Sequence, residues 1–99
     1  MRKGTAPIHT FTLPFDAEQI EKLRINYAQS RKIVLIKTEE DAEMNGNVVQ
    51  VKLTQADTLQ FSDGNVEIQL DILTKTGEPL RSDIYNVYAS RCLNEEELV

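Results

Sequence analysis

The sequence has little of what most catalytic or metal-bound domains draw on. Among 99 residues there is one cysteine (Cys92), one histidine (His9), no tryptophan and only four glycines. A single thiol excludes an intramolecular disulfide and fits a reducing compartment. Four scattered glycines leave no glycine-rich phosphate loop, which argues against nucleotide binding. Long apolar runs are missing too. The longest, Ile33-Val34-Leu35-Ile36, falls far short of the ~18 residues that a membrane-spanning helix needs. Arg2 and Lys3 are followed by no apolar stretch, so no secretory signal is expected. Positive charge is scarce: 11 Lys and Arg against 16 Asp and Glu give a net charge of −5. That balance argues against nucleic acid as the main partner, because phosphate contacts need clustered Lys and Arg. What remains is ordinary for a folded domain, with 40% hydrophobic and 27% charged residues. The length suits one domain with a core of its own.

The apolar residues recur with a period of two, the signature of strands with one buried face. Phe11, Leu13 and Phe15 alternate with polar residues or proline. So do Leu23, Ile25 and Tyr27, then Val49, Val51 and Leu53, and finally Val66, Ile68, Leu70 and Ile72. The run at 33–36 does not alternate and predicts a central strand covered on both faces. In the stretch 80–89, Ile84 and Val87 fall on opposite faces of an ideal strand, which predicts a bulge or burial on both sides. Asn45-Gly46 is a strong hairpin signal, Asp63-Gly64-Asn65 and residues 75–79 are further turns, and Ser30-Arg31-Lys32 is a weaker one. Asp16 with Gln19 fits a capping box, and Thr54-Gln55-Ala56-Asp57 repeats the idea imperfectly; each predicts one helical turn. Short strands spaced by about ten residues, with no long helix between them, predict an antiparallel β-sandwich occupying residues 1–99. The basic segment 1–7 and the acidic tail 94–99 read as flexible ends.

No set of side chains composes a catalytic signature. His9 reads as a half-exposed strand residue, and Cys92 as a small apolar side chain closing the core. Were Cys92 a thiol nucleophile, His9 would be its only conceivable partner. Glu39, Glu40, Asp41 and Glu43 could supply oxygen ligands, but they lack calcium-loop spacing and read as a solvated loop. No cofactor or metal is expected. Residues 1–37 hold seven Lys and Arg against three Asp and Glu, whereas 38–99 hold four against thirteen. Kept apart in space, such ends would attract those of neighbouring copies; interleaved strands would average them out. On the polar face of its strand, Gln69 lies between Glu67 and Asp71. These three residues are the candidate partner contacts.

Several strings resemble small structural proteins encoded by phages and prophages of Gram-positive bacteria. They are Thr10-Phe11-Thr12-Leu13-Pro14-Phe15-Asp16, Tyr27-Ala28-Gln29, Val51-Lys52-Leu53-Thr54-Gln55 with Thr58-Leu59 and Phe61, Val66-Glu67-Ile68-Gln69-Leu70, Ser82-Asp83-Ile84, and Cys92-Leu93-Asn94-Glu95-Glu96. More distantly, the chain resembles the immunoglobulin-like N-terminal domain of phage upper baseplate proteins, without their long C-terminal extension. The resemblance implies an immunoglobulin-like sandwich of six or seven strands with one or two helical turns. It implies a non-enzymatic virion protein of the tail or baseplate, made in the host cytoplasm and carried in the virion. Its expected partners are other phage structural proteins and copies of itself, with neither nucleic acid nor membrane. The alternative is a carbohydrate- or cell-surface-binding module, which calls for Tyr27, Tyr85 or Tyr88 exposed together on one face.

Overall fold

A computed structural model describes all 99 residues. The chain folds as the expected antiparallel β-sandwich, but with eight strands rather than six or seven, in two sheets. The smaller sheet has the order β1 (Ile8–Thr12), β5 (Val48–Lys52), β4 (Ala42–Asn45). The larger places β3 (Lys32–Thr38) beside β2 (Ile20–Gln29) and β2 beside β6 (Gly64–Thr74). Two short strands, β7 (Pro79–Arg81) and β8 (Tyr85–Ala89), share the far side of β6.

The period of two in the sequence becomes the core directly. Leu23, Ile25 and Tyr27 of β2 and Val66, Ile68, Leu70 and Ile72 of β6 point into the sandwich. They meet Phe11, Val49 and Val51 from the smaller sheet, while Leu13, Leu53 and Phe61 fill its ends. Removing each such side chain from water contributes about 1.5–3 kcal/mol, which fixes register, because a one-residue slip would turn a whole row outward.

Turn chemistry departs from expectation in instructive ways. In the β4–β5 hairpin Asn45 pairs with Val48, so the loop is Gly46 and Asn47 rather than Asn45 and Gly46. Gly46 takes φ +60°. Asn47 ties the turn to β1: its carbonyl accepts from the Leu13 N–H at 2.7 Å and its side chain donates to the Leu13 carbonyl at 3.2 Å. These bonds select the shifted register. The Ser30-Arg31 turn joins β2 to β3 with φ +50° and +66°, left-handed conformations that usually call for Asn and Gly. The imperfect helical signal proves to be the complete one. In α1 (Gln55–Leu59), Thr54 Oγ1 accepts from the Asp57 N–H, and Asp57 Oδ2 accepts from the Thr54 N–H. At Asp16 the carboxylate caps Glu18 alone, and Gln19 closes no box.

Two readings need correction. Residues 33–36 are not a central strand: β3 is an edge, with Ile33 56% and Ile36 46% exposed. Its lack of alternation comes from a bulge opposite Tyr27 and Ala28, since Leu35 pairs with Tyr27 and Ile33 with Ala28. Ile33 and Ile36 therefore share the outward face with Ala28 and Asn26. Cys92 does not close the core. It is half-buried, its Sγ lies 3.3 Å from the Asn94 carbonyl, and Leu93 is exposed. Residues 1–7 make contacts with the body of the domain. Ser90 and Arg2 form a parallel bridge, Lys3 is buried between Glu95 and Asp63, and the Thr5 carbonyl accepts from Thr58 Oγ1. The stretch 80–89 also splits in two. Residues 82–84 interrupt it and leave Ile84 exposed.

Candidate interaction surface

The outward rows of β2 and β6 build one polar face. Strand pairing sets Arg24 opposite Asp71, Asn26 opposite Gln69 and Ala28 opposite Glu67. Asp71 is the hub. Its Oδ2 accepts from Arg24 Nε at 3.1 Å, Arg24 Nη2 at 2.7 Å and Asn26 Nδ2 at 3.0 Å. Its Oδ1 lies 2.6 Å from Arg81 Nη1, an ionic contact without the direction of a good hydrogen bond. Burial alone would raise the Asp71 carboxyl; Arg24, then Asn26 and Arg81, outweigh it and hold the group below the usual aspartate range. Both guanidinium groups stay more than half exposed beside a groove of about 450 Å³, which Lys22, Thr38, Glu39 and Leu73 also line.

Of the three residues singled out from sequence, two are already engaged. Asp71 is held by two arginines. Gln69 Nε2 donates to the Ser82 carbonyl at 2.9 Å, while Ser82 Oγ accepts from the Leu70 N–H. Gln69 and Ser82 thereby bridge the gap where β7 ends before β8 begins. Glu67 is half-exposed on the same face.

At the opposite side of this sheet lies the free edge of β3. Lys32–Lys37 form backbone hydrogen bonds only toward β2. Lysines usually guard such an edge, but Lys37 is folded back, with Nζ 2.9 Å from Asp57 Oδ2 and only 16% of its side chain exposed. The basic residues Arg31 and Lys32 begin the strand, and the acidic turn Glu39–Asp41 ends it. Pattern reading alone missed this edge. The usable signal was an apolar run lacking proline, with basic residues before it and an acidic turn shortly after it.

The remaining candidates are dispersed. His9 Nδ1 is 2.7 Å from the buried Tyr27 hydroxyl, and no hydrogen bond links it to Cys92. Burial, aided by the N-terminal ammonium, lowers the His9 pKa, and burial with the nearby Asp57 charge raises that of Tyr27. In the acidic turn, Asp41 Oδ2 accepts from the Thr38 N–H and Glu39 Oε2 from the Leu23 N–H, so two carboxylates serve the backbone. No group of three potential ligands converges on a metal-sized site. The tyrosines do not share a face. Tyr27 is buried, Tyr85 pairs with inward Ile68 and stacks near Phe11, and Tyr88 faces outward opposite Asn65.

The fold and this surface define an antiparallel β-sandwich that presents a polar sheet face and an unpaired strand. Comparison with protein-family models, curated proteins and solved structures finds no match for this chain.

Proposed function

We propose that this chain is a non-enzymatic structural protein of a phage or prophage virion, from the tail or baseplate region, acting through protein–protein contacts. The observation that carries this reading is the β3 edge: a seven-residue strand, unpaired on one side, with two exposed isoleucines beside it. An open strand end-to-end with apolar side chains is a template for another protein's strand. The resemblance of the strand-and-turn strings to phage structural proteins supplies the setting. In that setting the chain is made in the host cytoplasm and assembled with other virion proteins. A stable contact would extend from β3 over the adjoining face and bury on the order of 1,200 Å² or more.

Light scattering coupled to size exclusion tests this, with the chain run alone and with the products of adjacent genes. The expected result is a defined complex that weakens when Ile36→Lys is introduced. A chain that stays monomeric and joins none of those proteins overturns the reading.

A further inference from the structure

We propose that β3 pairs with β3 of a second copy, antiparallel about a two-fold axis through Leu35, giving one sheet continuous across a dimer. The inference rests on the edge-contact reading above and names the partner of that edge. Four observations carry it.

First, β3 is the edge least protected against pairing. Prolines at positions 7 and 14 flank β1, β4 has four residues including Glu43, and β7 opens with Pro79 and is separated from β8. β3 contains no proline, runs for seven residues, and has one of its two lysines neutralised internally. Second, a two-fold axis perpendicular to the sheet at Leu35 sets residue 35−n of one strand opposite residue 35+n of the other. With Leu35 on the axis, Val34 faces Ile36 and Lys32 faces Thr38.

Third, that register is electrostatically matched. Arg31 and Lys32 of one copy come beside Glu39 and Glu40 of the other, and the symmetry repeats the match at the opposite end. A parallel pairing would set like charges together. Fourth, the bulge that brings Ile33 and Ile36 to the same face places four isoleucines along the seam of the dimer. Backbone hydrogen bonds supply the attraction, and the charged ends choose direction and register.

The test uses the intact chain in size exclusion with light scattering over a range of concentrations. The expected mass is twice the 11.3 kDa of one chain. Lys32→Glu and Glu40→Lys should each weaken the dimer about tenfold, because symmetry applies each reversal twice. Combined, they should recover most of the affinity. Unchanged thermal melts at low concentration would show that the variants fold. A wild-type chain that is monomeric throughout overturns self-pairing, as does a dimer indifferent to both single reversals. If such a monomer still binds a virion protein and loses it on Ile36→Lys, only the self-pairing fails; if it binds none, the functional reading falls as well.

Discussion

Asp57 does two jobs at once, and its removal should show how they couple. The carboxylate closes the Thr54 capping box, holds Lys37 Nζ at 2.9 Å, and lies in a site where the two side chains are 11% and 16% exposed. Asp57→Ala removes the reciprocal bond to the Thr54 N–H, worth about 1 kcal/mol, and strands a nearly buried ammonium, worth about 2 kcal/mol more. The expected loss of about 3 kcal/mol lowers Tm by roughly 10–20 °C in a domain of this size. Lys37→Met should cost only about 1 kcal/mol, since Asp57 keeps its bond from the Thr54 N–H. The double variant should be less destabilised than the singles predict together, with a coupling of about 1–2 kcal/mol, because no cation is then left unpaired. Burial pushes the Asp57 carboxyl up, but the Thr54 N–H and then Lys37 more than offset this and hold it below the usual aspartate range. The stabilisation is therefore complete above the unfolded-state value of ~3.9 and is lost as pH falls through the lower folded-state value. Urea unfolding of the four proteins at neutral pH, then of wild type across acid pH, gives every quantity. An Asp57→Ala loss under about 0.5 kcal/mol, or additive single effects, would refute the reasoning.

Replacing Ser30-Arg31 by Asn-Gly should raise stability by about 1 kcal/mol, since left-handed φ costs non-glycine residues about 1–2 kcal/mol each and the gain is offset partly by glycine's freedom when unfolded. Chemical denaturation at a concentration that keeps the chain monomeric checks this. His9 should titrate below the usual histidine range in an NMR pH series. Because its folded-state value is depressed, its contribution is present above the unfolded value of ~6.5 and fades as pH falls through the folded one. His9→Gln should flatten the stability profile over that interval.

Strand reading succeeded best in the longer alternating rows. Val66 to Ile72 in β6 and Leu23 to Tyr27 in β2 are buried residue for residue as their period requires. It failed at residues 33–36 because a bulge destroys the period, and an apolar run looks the same whether a neighbour covers it or not. Gln69 and Asp71 were visible as polar face residues, yet their roles were not. Their partners Ser82, Arg24 and Arg81 lie 13, 47 and 10 residues away along the chain and meet them only across strand pairings.

By itself, then, the sequence determined the β class, the inward rows of the core and most of the turns, because period and turn chemistry act over a few neighbouring residues. Only the tertiary structure decided which strands end a sheet, that Lys37 folds back onto Asp57, and that β3 lies open between a basic and an acidic turn. Those features depend on which distant segments become neighbours, and that follows from how the two sheets close over their shared core.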